Sequence, residues 1–134
     1  MTTVSTSLVS TPSRRLPRTS VILSKGMNPG EEGYSAFEGV DSHHTPFEEL
    51  LLRLRVTEIA VTGLATDYCV KATAMDAIGK GFTTRICTDA IQGIDRNPGD
   101  SEKAVNELVM LGALRTTLES ITAEFEVSEK SHRR

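Results

Sequence analysis

The chain has 134 residues, a length that fits one domain with a buried core. Its apolar fraction of 38% and charged fraction of 25% are typical of a globular protein, and a net charge of −3 argues against general attraction to nucleic acids or anionic membranes. No apolar run approaches the ~20 residues of a membrane span. Cys69 and Cys87 form neither a disulfide framework nor a metal-binding spacing, so we expect reduced thiols and a cytoplasmic location.

Residues 1–18 differ in composition from the rest of the chain. They are rich in Ser, Thr and Arg, contain Pro12 and Pro17, and have no acidic residue. Such a segment buries little apolar surface, so we predict a disordered or non-native leader. A transit peptide, or a start that lies inside a longer gene or follows a frame error, are the alternatives.

A short apolar run, Val21-Ile22-Leu23, predicts a buried strand that ends at Lys25. Next, Thr45-Pro46-Phe47-Glu48 has the pattern of a helix start, with Thr45 as the cap and Pro46 at the first helical position. This helix is predicted to run to about Arg55.

Strand and helix patterns then alternate along the chain. Thr66 or Asp67 is expected to cap the second helix, and Asp100 or Ser101 the third. The predicted strands are 57–62, 83–88 and 113–116, the predicted helices start near 67 and 100, residues 119–127 are ambiguous, and 126–134 are expected to form a flexible tail.

This alternation predicts an α/β fold, a three-layer arrangement in which a mostly parallel sheet has helices on both faces. Ligands of such sheets bind beyond the carboxyl ends of the strands. Lys25 follows the first predicted strand, Cys69 the second, and the loop after Thr88 the third. The topology therefore predicts that they meet at one edge of the sheet.

Cys69 is the main candidate for a catalytic residue. It lies where the strand Ile59-Ala60-Val61-Thr62 has turned and a helix begins. Free N–H groups and the helix dipole at such a position favour a thiolate, which is a nucleophile for carbonyl carbons. The alternative is a structural thiol that packs as a small apolar side chain.

Other polar residues carry weaker signals. Lys25 is either a solvated charge or an ammonium that stabilises a thiolate and a negative transition state. Cys87 lies inside a strand pattern and is expected to be buried, and His43 and His44 are expected to be loop residues rather than metal ligands. Asp67 either caps the helix, which we expect, or orients the site.

With these residues in place, the sequence resembles the nicotinamidases of the isochorismatase-like cysteine hydrolase family over about residues 19–118. The resemblance covers the carboxyl-terminal two-thirds of that family only. The blocks that carry it are Ser24-Lys25-Gly26, Tyr34-Ser35-Ala36-Phe37-Glu38-Gly39, Gly63-Leu64-Ala65-Thr66-Asp67-Tyr68-Cys69-Val70, Thr73-Ala74-Met75-Asp76-Ala77, Thr88-Asp89-Ala90 and residues 100–112.

The resemblance implies a role for each matching residue. Cys69 would be the nucleophile and Lys25 the catalytic lysine, while the backbone N–H groups of Ala65 and Cys69 would form the oxyanion hole after a cis Leu64-Ala65 peptide. Tyr34 and Tyr68 would bind the substrate. The implied reaction is hydrolysis of nicotinamide to nicotinate and ammonia in NAD salvage.

The chain departs from the family in what precedes Lys25. The family's catalytic aspartate and its ligands for a divalent metal (zinc, iron or manganese) come before the lysine, yet residues 1–24 contain no Asp and no His. We therefore assign no metal ligand in this chain. We expect residues 19–125 to be a partial isochorismatase-like domain, incomplete at its amino-terminal end, with weak or no turnover.

Two further functions stay open. An enzyme of the same family could act on another small amide, such as a ureido compound or a maleamic acid. A non-catalytic remnant that only associates with other subunits is the alternative from a different class, and homo-oligomer formation is equally open.

Overall fold

The computed structural model describes residues 2–4, 9–10, 21–26 and 28–124. The predicted tail, 126–134, and most of the predicted leader lie outside the described residues, although two short strands lie within 1–18. The division into 1–18, 19–125 and 126–134 stays a prediction.

The elements follow each other as strands and helices in alternation after residue 46. The strands are β1 (Thr2–Val4), β2 (Val9–Ser10), β3 (Leu23–Lys25), β4 (Glu58–Leu64), β5 (Thr83–Gln92) and β6 (Leu114–Thr116). The α-helices are α1 (Phe47–Arg53), α2 (Lys71–Gly79) and α3 (Asp100–Met110), with a 3-10 turn at Ala36–Glu38 and a π-helical turn at Thr66–Val70. Residues 118–124 are helical, which assigns the described part of the segment 119–127 that the sequence left ambiguous.

The main sheet has the strand order β2-β4-β5-β6. Strands β4, β5 and β6 pair in parallel, while β2 joins β4 antiparallel. The predicted α/β class with a mostly parallel sheet is therefore confirmed. The β-branched residues of β4 and β5 suit strands that are covered on both faces.

The side chains of β4 and β5 alternate between two apolar layers. Ile59, Val61 and Ile86 pack into the larger core. That core also contains Val70 and side chains of all three α-helices: Phe47, Leu51, Ala74, Ala77 and Leu108. Ala60 and Cys87 point to the opposite face, where Ile121 of the 118–124 helix covers them. The sheet thus has helices on both faces, as predicted.

Strand β3 was placed incorrectly by the sequence. It pairs antiparallel with β1 in a separate two-stranded sheet and not with the parallel strands. Only Leu23 of the apolar run is buried, because Val21 and Ile22 precede the strand and lie exposed at the surface.

The expected helix caps at Thr45, Asp100 and Ser101 are also wrong. Pro46 occupies the N-cap of α1, and the first N–H of that helix, from Phe47, donates to the carbonyl of Gly39 at 3.1 Å. At α3 the N-cap is Gly99, with a φ of 89° that favours glycine. In both helices a residue without a capping side chain takes the position, so no side-chain cap forms.

No helix among the described residues is long and apolar enough to cross a bilayer.

We predict that Leu108→Ala lowers the free energy of unfolding by about 2–5 kcal/mol, because it leaves a cavity under the sheet. Leu108 is 0% exposed, whereas Met110 on the same helix is 87% exposed and provides the matched control. Met110→Ala is expected to change stability by less than about 0.5 kcal/mol. Urea unfolding followed by circular dichroism measures both, and equal effects would contradict this assignment of the core.

Candidate active site

Cys69 lies on the π-helical turn that joins β4 to α2. The turn follows a cis peptide between Leu64 and Ala65, the bond that the resemblance implied. The Ala65 carbonyl accepts the N–H groups of Tyr68, at 3.1 Å, and of Val70, at 3.0 Å. Within the described residues the N–H of Cys69 is not among the donors to that carbonyl.

The Nζ atom of Lys25 lies 3.2 Å from the Sγ atom of Cys69. Strand β3 delivers the lysine, which is only 2% exposed, and Cys69 is partly exposed. These two residues are 44 positions apart in sequence, so tertiary packing creates the contact. An ammonium group this close stabilises a thiolate.

Gly33 supplies the second contact of Lys25, and the sequence interpretation missed its role. The Lys25 ammonium donates to the Gly33 carbonyl. Gly33 has a φ of +74°, and a Cβ atom built there would lie 2.8 Å from the Cα of Gly26. Only glycine fits this approach of two backbones. A glycine directly before the tyrosine block was the available signal, but turn glycines are common.

Two tyrosines adjoin Gly33 and Cys69 in the chain, and their rings contact each other. Tyr34 follows Gly33 and Tyr68 precedes Cys69, and their ring centroids are 5.5 Å apart. The segment with Tyr34 is fixed to α2, because the Ala36 N–H donates to the Thr73 hydroxyl at 2.9 Å in a buried bond. Thr73 belongs to a block that carries the family resemblance, but the sequence assigned no role to its hydroxyl.

Asp67 does not cap the helix, and the predicted cap is wrong for Thr66 also, since the turn has Ala65 at its N-cap and no side-chain cap bond. The Asp67 carboxylate instead accepts the backbone N–H groups of Ile94, at 3.0 Å, and Asp95, at 2.8 Å. Desolvation raises the pKa of Asp67, but these N–H donors outweigh it and hold the pKa below its ordinary value. Asp67 thus joins the Cys69 turn to the loop after β5.

Cys87 is buried under Ile121, as predicted, and desolvation followed by the charge of Asp89 raises the pKa of its thiol. This environment suits an inert structural thiol. The two cysteines therefore differ in the way the sequence suggested: one contacts an ammonium group and the other lies in an apolar layer.

The described residues do not fit a metal ion. No group of three or more His, Cys, Asp or Glu side chains is close enough together in this part of the chain. His43 lies at the surface, and the nearby Asp41 carboxylate is already bonded to the N–H groups of His43 and Thr45, both at 2.8 Å.

Comparison with known proteins points to one family. The model of the isochorismatase domain matches residues 31–120. The chain is 38% identical to the nicotinamidase of Escherichia coli over 98 residues, 72% of this chain and 46% of that protein.

Solved structures give the same result. The pyrazinamidase of Pyrococcus horikoshii in complex with zinc superposes with a TM-score of 0.64 at 36% identity, over 78% of this chain and 54% of that one. PnC1 from L. infantum in complex with nicotinate gives a TM-score of 0.60 at 27% identity, over 71% of this chain and 47% of that one. The chain spans about half the length of the relatives that it matches. Since the domain model matches more than half of its residues, the chain belongs to the isochorismatase domain family.

Proposed function

We propose that this chain carries the nucleophile and its cationic partner in an amidohydrolase of the nicotinamidase type, which converts nicotinamide and water to nicotinate and ammonia. The observation that carries the proposal is the 3.2 Å contact between Lys25 Nζ and Cys69 Sγ. The similarity to nicotinamidases supports the choice of amide hydrolysis as the reaction.

The burial of Lys25 supports a charged Cys69. A buried ammonium is costly unless it is paired, and the described partners of Lys25 are the Gly33 carbonyl and the Cys69 sulfur. The carbonyl is a dipole without net charge. The thiolate is thus the counter-charge within reach, and a thiolate is also the form that attacks carbonyl carbons.

In the proposed reaction, the Cys69 thiolate adds to the amide carbon and forms a C–S bond. The negative oxygen of the tetrahedral intermediate accepts hydrogen bonds from the backbone N–H groups of Ala65 and Cys69. The C–N bond then breaks and the nitrogen leaves as ammonia after gaining a proton. Water then adds to the resulting thioester and the C–S bond breaks, which releases nicotinate and returns the Cys69 thiolate. The two protons of the water pass to solvent, and one of them replaces the proton that ammonia took up.

Tyr34 and Tyr68 are the proposed substrate-binding residues. Their tilted rings have centroids 5.5 Å apart, and in the chain Tyr34 adjoins Gly33 and Tyr68 adjoins Cys69. Aromatic rings of this kind pack against a flat pyridine ring. The nicotinate complex of the L. infantum relative supports a pyridine carboxylic acid as the product.

No step of the proposed reaction goes through a metal. Zinc is part of the P. horikoshii structure, but the described residues of this chain do not offer a matching donor set. Among these residues, no carboxylate is bonded to Cys69 or Lys25. Proton transfer to the leaving nitrogen then relies on solvent, so we expect weak turnover.

We predict that iodoacetamide alkylates Cys69 at pH 7 much faster than Cys87, and that Lys25→Met slows alkylation of Cys69 by about tenfold, because the stabilising charge is lost. Peptide mass spectrometry follows both thiols in one sample. Arg53→Met, at an exposed position of α1, removes a positive charge elsewhere and is the control, which is expected to change neither rate. Unchanged alkylation of Cys69 in Lys25→Met would refute the proposed pair.

A second prediction concerns ammonia release. The 134-residue chain should release ammonia from nicotinamide slowly, and Cys69→Ala should abolish that release while Cys87→Ala retains it in proportion to the folded fraction. A coupled ammonia assay measures this, with a maleamate and a ureido compound as competing substrates. Equal release by Cys69→Ala and the parent chain would exclude Cys69 as the nucleophile, and faster turnover of a competing amide would change the substrate class.

A further inference from the structure

A series of polar contacts starts two residues before Cys69 and returns to the chain two residues after it. It begins at Asp67, whose carboxylate accepts the N–H groups of Ile94 and Asp95. The Asp95 carboxylate in turn accepts the backbone N–H of Ser101 at 2.8 Å and its hydroxyl at 2.9 Å. The loop after β5 is thereby joined to the first turn of α3.

The series closes through the other end of α3. Glu107 lies six residues after Ser101 on that helix, and its carboxylate contacts the Lys71 ammonium at 2.6 Å. The hydrogen bond and the charge of Lys71 hold the pKa of Glu107 below its ordinary value, although burial opposes this. Lys71 is the first residue of α2.

We propose that Asp67 and Lys71 are positioning residues that hold the Cys69 turn against α3 and the loop after β5, and thereby keep the thiol beside Lys25. This inference rests on the proposed function, since it assigns a purpose to the geometry of that same site. Neither residue touches the reacting atoms.

The backbone around Cys69 is a single turn that these outer contacts can stabilise. Cys69 lies on a five-residue π-helical turn rather than inside a regular helix, and this turn bonds back to Ala65 through Tyr68 and Val70. A π-helical turn is rare in proteins and occurs mostly as a single turn. Each of the outer contacts is partly solvated and weak alone, but together they fix both sides of the turn.

The chain offers a matched control for each residue. The Asp41 carboxylate also accepts two backbone N–H groups, at 2.8 Å, in a loop that carries no proposed catalytic or substrate-binding residue. Lys80, just after α2, pairs with Glu48 at 2.8 Å, and both members have nearly the same exposure as Lys71 and Glu107. Asp41→Asn and Lys80→Met thus remove equivalent contacts elsewhere.

The test is the alkylation rate of Cys69 by iodoacetamide in the full chain, with buried Cys87 as the internal monitor of unfolding. We expect Asp67→Asn and Lys71→Met each to slow Cys69 alkylation by about fivefold while the Cys87 rate stays constant. Lys71→Arg retains the charge pair and should restore the rate. In the Lys25→Met background, Asp67→Asn and Lys71→Met should have no further effect, because they act through Lys25.

The outcomes separate this inference from the proposed function. If Lys25→Met slows alkylation but Asp67→Asn and Lys71→Met behave like their controls, the positioning role is wrong and the proposed pair stands. If their effects add to that of Lys25→Met, or if Cys87 becomes reactive in parallel, the role is merely structural and the inference also fails. If Lys25→Met changes nothing, the proposed function itself fails.

Discussion

The buried ammonium group of Lys25 is the constraint on which the rest of the site depends. A long cationic side chain that is 2% exposed must find its partners inside the protein, since water cannot solvate the charge. The partners come from two other segments, the Gly33 carbonyl from a loop and the Cys69 sulfur from the turn before α2. Strand β3, that loop and the turn are therefore held together by one nitrogen atom, and any movement of one segment leaves the charge less compensated.

Small residues make this convergence possible. The loop that presents Gly33 folds back so closely on Gly26 that a side chain at Gly33 would overlap the Gly26 backbone. The next turn is then tied to α2 by the buried bond between Ala36 and Thr73. The segment 33–36 is thus fixed at one end by the contacts of Gly33 with Gly26 and Lys25, and at the other end by the hydrogen bond of Ala36 to Thr73. Tyr34 lies between Gly33 and Ala36, so these contacts also fix its position beside Tyr68.

The alternation of strands and helices, which implies a parallel sheet, and the position of Cys69 were predictable because both depend on local sequence patterns. The β-branched run before Gly63 gives strand β4, and a helical pattern follows it, so the thiol had to lie at a strand–helix junction. The caps at Thr45 and Asp67 were predicted wrongly because tertiary partners satisfy the backbone: the Gly39 carbonyl accepts the Phe47 N–H, and the Asp67 carboxylate is drawn to another loop. The role of Gly33 depends on its contact with Lys25, eight positions earlier in the chain. Secondary-structure propensities of single residues do not predict such a contact.

The proposed charge effect at Cys69 depends on the proposed geometry. The charge comes from Lys25, and the contacts of Asp67 and Lys71 with the segment 94–107 would keep the thiol beside it. Both are contained in the described residues. Completing hydrolysis also requires a proton for the leaving nitrogen, and no carboxylate in this part of the chain is bonded to Cys69 or Lys25. A reactive Cys69 thiol and efficient turnover are thus distinct properties. The alkylation rate of Cys69 therefore tests the Lys25–Cys69 pair even where hydrolysis is slow.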